Sequence, residues 1–296
     1  LVALMGGRID DLKLNDYQTT LDADAEIVTL LSPEGSSDAY YALHGWAAGS
    51  GLAPDAVPGV DTLWTLSEGE TLGVDSPVTL TWDNGAGQVF TRTIAGDDQY
   101  MFDITQSVSN NGEAPVNLAP FGMIAQHGLP EDLKSFFILH EGPIGVMGEN
   151  NLVEYSYGDL ADDRQIDHDA SQGWLGFVDK CWATAVMPEP GTGFSARFSA
   201  RGTEGSEIYE TNFVRQAPLV VSAGGSASST SYVYAGAKVE SIIAEYEQNY
   251  GFDRFELLID WGWFHFITKP MFLVIRFLNS VLGNFGLAIL GVTVLV

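Results

Sequence analysis

The sequence predicts a mainly β protein, a sandwich domain followed by C-terminal helices. Three observations predict it. Short β-like runs broken by turn residues recur at near-regular spacing over residues 8 to about 238, as in sandwiches and barrels rather than βαβ units. Apolar spacing turns helical at about residue 237, and residues 285–296 form an apolar run without a charge.

The clearest hairpin joins residues 77–82 to residues 88–94. Its turn holds Asn84-Gly85, a pair suited to the positive φ angles of a tight connection. Over residues 100–108, Tyr100, Phe102, Ile104, Gln106 and Val108 share one face and Met101, Asp103, Thr105 and Ser107 the other. One buried face per strand predicts two layers of sheet. Further turns are predicted at residues 33–37, 110–112, 148–151, 188–191 and 224–228, and the longest loop at residues 49–59. No fixed-period repeat is present, which favours one sandwich domain.

Val239, Ile242, Ile243 and Tyr246, with Glu240, Glu245 and Glu247 between them, predict an amphipathic helix from about residue 237 to Gly251. The first domain is therefore set at residues 1–251. Residues 252–282 are richer in aromatics and predict a helix lying at a membrane interface. Phe255, Leu258, Trp261, Trp263, Phe264, Phe266 and Phe272 supply its apolar body, and Lys269 and Arg276 its snorkelling cations. Pro270 is expected to start a new helix or to kink this one. A buried helix of the globular core is the alternative.

Residues 283–296 predict the start of a transmembrane helix, through Phe285, Leu287, Ile289, Leu290, Val292 and Val294. Twelve apolar residues are too few to cross, since a span takes about twenty, so a helix cut short at the chain end is expected. A C-terminal core strand is the alternative, given Val292, Val294 and Val296. At the other end, the five apolar residues before Gly6-Gly7 are too few for a signal sequence or a span, and the natural N-terminus is expected upstream.

The net charge is −26. In residues 252–296, Asp253, Glu256 and Asp260 balance Arg254, Lys269 and Arg276, so the whole excess lies in residues 1–251. Such a domain is repelled by phosphate backbones and anionic headgroups, which argues against nucleic acid and for protein or small neutral partners.

The one cysteine, Cys181, cannot form an intrachain disulfide and is expected in the core. His44, His127, His140, His168 and His265 form no metal-binding spacing, and no metal or other cofactor is predicted. His140-Glu141 and Asp167-His168-Asp169 could form acid–base pairs, although a His beside an acid in a loop is more often structural. Asp10-Asp11, Asp97-Asp98 and Asp162-Asp163 read as solvated acids. No GxSxG or GxxxxGK string occurs, and the glycines of residues 191–205 read as hairpin turns rather than a phosphate cradle. The residues alone thus predict no catalytic site.

Ordered strings along the chain resemble the YidC membrane insertase family: Gly7-Arg-Ile-Asp-Asp-Leu-Lys-Leu14 with Tyr17, Tyr40-Tyr41 with Gly45-Trp46, Ser76-Pro-Val-Thr-Leu-Thr-Trp-Asp-Asn-Gly85 and Ala119-Pro-Phe-Gly122. His140-Glu-Gly-Pro-Ile-Gly145, Gly173-Trp-Leu-Gly-Phe-Val-Asp-Lys180, Phe194-Ser-Ala-Arg-Phe198 and Tyr234-Ala-Gly-Ala-Lys238 follow. Ile259-Asp-Trp-Gly-Trp-Phe264, Thr268-Lys-Pro270 and Gly283-Asn-Phe-Gly-Leu-Ala-Ile289 complete the series, which covers essentially the whole chain.

The resemblance implies a periplasmic β-supersandwich of the galactose-mutarotase-like kind, an amphipathic helix on the membrane surface, and the beginning of the second transmembrane helix. It also implies a bacterial inner-membrane protein that inserts and folds membrane proteins without a covalent step. Its partners would be nascent membrane proteins, the lipid bilayer and the Sec translocon components SecYEG and SecDF. The family's N-terminal anchor helix is missing from this sequence, which stops near the position of the family's groove cation, so the groove residues have no counterpart here. A mutarotase-like carbohydrate-binding or sugar-processing protein is the competing reading, which the fold would allow but does not by itself support. A purely structural scaffold for the Sec partners is a third.

Overall fold

The computed structural model describes residues 2–22, 24–130, 133, 139–149, 151–262 and 265–295. In chain order the first strands are β1 (Val2–Ala3), β2 (Arg8–Ile9), β3 (Leu12–Gln18), β4 (Ile27–Leu31), β5 (Tyr40–Ala48), β6 (Thr65–Glu68), β7 (Val78–Asp83), β8 (Gln88–Gly96), β9 (Met101–Asn110) and β10 (Val116–His127). There follow β11 (Gly142–Met147), β12 (Leu152–Glu154), the helix α1 (Tyr157–Asp163), β13 (Gln165–Ala170), β14 (Gly173–Val178), β15 (Trp182–Pro188), β16 (Phe194–Arg201), β17 (Ile208–Arg215), β18 (Leu219–Val221) and β19 (Ser226–Ala237). The helices α2 (Glu240–Tyr250), α3 (His265–Leu282) and α4 (Phe285–Leu295) end the chain.

Two antiparallel sheets carry the domain. The eight-stranded sheet runs β1-β2-β5-β10-β17-β16-β13, with β18 also paired to β10, and the nine-stranded sheet runs β12-β11-β14-β15-β19-β9-β8-β7-β6. A separate hairpin pairs β3 with β4. Alternation writes both inner faces. In β10, Val116, Leu118, Ile124 and Gln126 are buried, and in β9 Phe102, Ile104, Gln106 and Val108 are, as their period of two predicts. Ile124 and Phe213 of one sheet share a core with Leu175, Val186 and Val233 of the other, and a second cluster gathers Trp46, Trp64, Phe90 and Leu118.

The hairpin read at Asn84-Gly85 joins β7 to β8 with Trp82 opposite Phe90, and Gly85 has φ +69°. α2 ends at Gly251 in the left-handed region and buries Ile243 and Tyr246, two of its four predicted apolar positions. α1 has no counterpart in the sequence reading. Ser156 caps it, the hydroxyl accepting from Asp159 N while Asp159 accepts from Ser156 N.

Three expectations are corrected. Cys181 is exposed in the β14–β15 turn, where Asp179 Oδ1 accepts from the amides of Cys181 and Trp182; the apolar run around it is two strands and a reversal. Asp10 is buried beside Arg8, whose guanidinium also meets Glu34 at 2.6 Å, so this acid is not a solvated one. Phe285–Leu295 is helical, which removes the C-terminal strand. Pro270 lies inside α3, which continues from His265 to Leu282 without a new start there.

The chain divides into two compact units, residues 1–134 with 140–258 and residues 135–139 with 259–296. The sequence set the first domain's end at Gly251. The difference lies in the turn Phe255–Leu258, whose Phe255 is wholly buried against Trp174, Tyr234 and Phe252 at ring distances of 5.6, 5.8 and 5.4 Å. Trp174 Nε1 also donates to the carbonyl of Asp253. Phe255 and Leu258 therefore belong to the sandwich core, and their predicted membrane contact is withdrawn.

Candidate functional site

The second unit is built from the helix pair α3–α4. Gly283, with φ +63°, and Asn284, whose Oδ1 accepts from Leu287 N, make the reversal between them. Gly291 faces α3 so closely that a Cβ there would meet Leu278 at 3.0 Å, and Ala288, about one turn earlier, and the adjacent Val292 are buried. Trp261 packs edge-on against Phe272 at 5.4 Å, and Thr268 Oγ1 donates to the Trp261 carbonyl.

Much of the pair's apolar surface faces solvent. Phe266 is 64% exposed, Phe277 66% and Leu290 61%, and Ile267, Leu273, Val281, Phe285, Leu287 and Ile289 are exposed with them. An exposed apolar area of this kind marks a membrane or protein contact. Of the predicted interface residues, Phe266 and Arg276 are exposed and Trp261, Lys269 and Phe272 partly so. Trp263, Phe264 and the Val294 side chain lie outside the described residues. Of the predicted span, Phe285, Leu287, Ile289 and Leu290 face out, whereas Val292 faces in. No described helix is long and apolar enough to cross a membrane.

The first unit holds a cleft of about 240 Å³ where strands of both sheets, the β3–β4 hairpin and α1 meet. Its inner wall is aromatic. The Tyr157 ring stacks on Phe177 at 6.3 Å and the Tyr40 ring stands edge-on to it at 6.2 Å. The Tyr40 hydroxyl is hydrogen-bonded to Thr184 Oγ1, and Tyr157 donates to Gln126 Oε1 at 3.0 Å. Burial raises both phenols above the usual tyrosine range, so they are neutral hydrogen-bonding groups. Asp38 and Asp179 stand among the lining residues, and among the described residues none that lines the cleft is Lys or Arg.

Of the acid–base pairs considered from sequence, Asp167-His168-Asp169 is engaged in structural contacts, whereas Glu141 Oε2 is buried without a hydrogen-bond partner among the described residues. His168 Nε2 is 2.7 Å from the Tyr155 hydroxyl, Asp167 binds Arg197, and Asp169 accepts from Ser195 and Gln216. Hydrogen bonds from these partners lower both carboxyls below their usual range. His140 Nε2 lies 3.1 Å from the Pro143 carbonyl. Among the described residues no three His, Cys, Asp or Glu side chains group as a metal site.

Sequence reasoning missed a polar knot in the core. Arg92 Nη1 donates to the Gly6 and Gly7 carbonyls and Nη2 to the His44 carbonyl, with Trp64 4.7 Å from the guanidinium carbon. Residue parity carried the signal, since Phe90, Arg92 and Ile94 share a face.

The fold comes first in the comparison with known proteins. A solved galactose mutarotase-like protein from Lactobacillus casei is similar at a TM-score of 0.53 over 79% of this chain and 95% of that one, with 12% identity. The first unit is a β-sandwich of the galactose-mutarotase-like kind, and at that identity the likeness speaks for architecture alone.

The family model described as the YidC periplasmic domain matches residues 2–274. Two curated relatives, each named membrane protein insertase YidC, are similar throughout. The one from Roseobacter denitrificans is 48% identical over 100% of this chain and 49% of its own length, and the one from Ruegeria sp. is 47% identical over 99% and 49%. The chain belongs to the YidC family, and its sandwich is that family's periplasmic domain. It spans about half the length of these relatives.

Proposed function

We propose that the chain is the periplasmic and membrane-surface portion of an inner-membrane insertase, acting on nascent membrane proteins without a covalent step. One observation carries the reading: family similarity runs the length of a chain whose sandwich ends in a helix pair with its apolar side exposed. In this reading Trp261, Phe266, Phe272 and Phe277 lie at headgroup depth, Lys269 and Arg276 reach toward the phosphates, and α4 leads into the bilayer. The acidic sandwich is held off anionic lipid by its own charge and meets partner proteins, for which Sec translocon components are proposed on family membership.

The test replaces the matching half of the Roseobacter denitrificans relative by this chain and asks whether insertase-depleted cells regain insertion of a small membrane client. Rescue is expected. A chimera that is expressed and integrated in the membrane yet inserts nothing overturns the proposal. For the surface helix, the purified chain is mixed with neutral-lipid vesicles, and Phe266→Asp with Phe277→Asp is expected to abolish co-flotation. Unchanged flotation would remove α3 from the interface.

A further inference from the structure

The sequence contains two Asn-Gly pairs, Asn84-Gly85 and Asn111-Gly112, and the fold treats them oppositely. Such a pair can react with itself and water. The deprotonated amide nitrogen of the glycine attacks the asparagine Cγ, an N–Cγ bond forms, and the Cγ–Nδ2 bond breaks. The proton lost by the glycine nitrogen returns through solvent to the side-chain nitrogen, which leaves as ammonia. Water then opens the cyclic imide at either carbonyl, giving aspartate or isoaspartate, in which the main chain runs through Cβ. Glycine is the favourable neighbour because it has no Cβ to crowd the attacking nitrogen.

Asn84 is locked against this attack. Its Nδ2 donates to the Ala56 carbonyl at 3.0 Å and to Gln88 Oε1 at 2.9 Å, and its Oδ1 accepts from the amides of Ala86 and Gln88. The side chain cannot turn toward Gly85 without breaking these bonds. The attacking nitrogen is held back as well. Gly85 N donates to Asp83 Oδ1 at 2.8 Å, and a carboxylate in that position favours the N–H over its anion.

Asn111 has neither safeguard. It is exposed on the β9–β10 turn, and its side chain makes no hydrogen bond to a described residue. Gly112 N donates at 3.1 Å to Asn110 Oδ1, a neutral acceptor, and Glu113 beside it is exposed to solvent. The pair nevertheless sits on a joint of the fold. Asn110 is wholly buried, accepts from Gln88 Nε2 and donates to the carbonyls of Ala114, Val221 and Ser222, while Asn111 N donates to the Gly87 carbonyl at 2.7 Å.

We propose that Asn111 is a self-modification site of the periplasmic domain, converted by water to isoaspartate and aspartate while Asn84 stays intact. The isoaspartate product lengthens the main chain at residue 111 by a methylene and adds a negative charge. It thereby pulls Gly112 off Asn110 and loosens the hold of the turn on β8 and β18. The site lies in the sandwich and does not depend on the membrane role assigned to α3 and α4.

The experiment incubates the purified chain in warm, mildly alkaline buffer, with a parallel sample in guanidinium chloride, and follows the Asn84 and Asn111 peptides by mass spectrometry for replacement of the side-chain NH2 by OH. In the folded chain Asn111 is expected to convert at least about tenfold faster than Asn84, the factor that one ordinary hydrogen bond puts on a barrier. In guanidinium chloride the difference is expected to disappear, because it comes from the fold and not from the Asn-Gly pair. Asn111→Gln, whose longer side chain disfavours the ring, is expected to stop the reaction there. Its denaturation midpoint should survive the incubation, whereas that of the parent falls. Equal conversion of Asn84 and Asn111 in the folded chain, a preference that persists in denaturant, no folded-state conversion of Asn111 over the time that completes it in denaturant, or an equal fall in midpoint for the parent and Asn111→Gln would each overturn the proposal.

Discussion

The Tyr246 phenol donates to Asp97 Oδ2 at 2.6 Å, joining α2 to the β8–β9 connection 149 residues earlier. Asp97 also accepts from the amides of Gln99 and Met101, so this one carboxylate both shapes the turn and anchors the helix. Burial, and then the bond to Asp97, raises the Tyr246 pKa far above the usual tyrosine range. Removing the hydroxyl in Tyr246→Phe is expected to destabilise the domain by about 2 kcal/mol, the usual worth of a hydrogen bond to a charged group. Urea unfolding of Tyr246→Phe, Asp97→Asn and the double variant checks it. Strict additivity would show that the pair does not hold the helix.

Glycine in the family string at residues 173–180 has a steric rather than a chemical reason. A Cβ on Gly176 would lie 1.8 Å from the Thr184 carbonyl oxygen, across the β14–β15 pair, and neither backbone can yield within a buried sheet. Gly176→Ala is expected to cost more than about 4 kcal/mol and to abolish soluble expression. Gly59 has open space around its Cβ position, so Gly59→Ala should fall within about 0.5 kcal/mol of the parent. Equal expression and melting of the two variants would refute the packing account.

His44 is buried beside Arg92, and burial first and the guanidinium second lower its pKa from 6.5 to about 3. The folded protein therefore keeps it neutral where the unfolded chain binds a proton. Stability from this group is complete above pH 6.5 and falls as the pH drops from 6.5 toward 3, by at most about 1.4 kcal/mol per pH unit for one proton. Burial raises the carboxyls of Asp10, Asp103 and Glu210, which act in the opposite sense as the pH falls but are common to parent and variant, so the comparison of the two isolates the histidine. Denaturant unfolding at pH 7 and pH 5 should show a larger loss for the parent than for His44→Gln. An identical loss would mean that His44 titrates normally.

What the sequence made legible was whatever one element decides by itself. The period of two in residues 100–108 placed Gln106 among buried neighbours, Asn84-Gly85 marked its hairpin, and Gly251 closed α2. What it hid depends on partners distant in the chain. Phe255 and Leu258 look like the rest of the aromatic segment, and only Trp174 and Tyr234, brought together by β14 and β19, claim them for the core. Cys181 sits in an apolar run, and the reversal after Val178 that exposes it is written in Asp179, which binds two amides of the turn. The cleft was invisible for the same reason, since Tyr40, Gln126, Tyr157 and Phe177 come from four separate elements.

Arg92 gives the most direct test of how the opening strands are held. It points into the core from β8, and its nitrogens reach the carbonyls of Gly6, Gly7 and His44 and, at 3.4 Å, the amide oxygen of Gln106. The approach requires glycine, because a Cβ on Gly7 would stand 2.5 Å from Arg92 Nη1. The guanidinium thus ties the segment between β1 and β2 to both sheets, with the Trp64 ring on its face. Arg92→Met leaves these carbonyls unpaired in the interior, and Arg92→Lys keeps a charge without the fork that spans them, so each is expected to lose on the order of 3 kcal/mol. Local hydrogen exchange separates a tie from a general packing loss. The Gly6 amide, bonded to the Thr62 carbonyl, and the Trp64 amide, bonded to the Leu4 carbonyl, should exchange faster in both variants by more than the fall in global stability predicts. If their exchange slows or merely follows global unfolding, Arg92 fills space in the core without fastening the N-terminal segment to it.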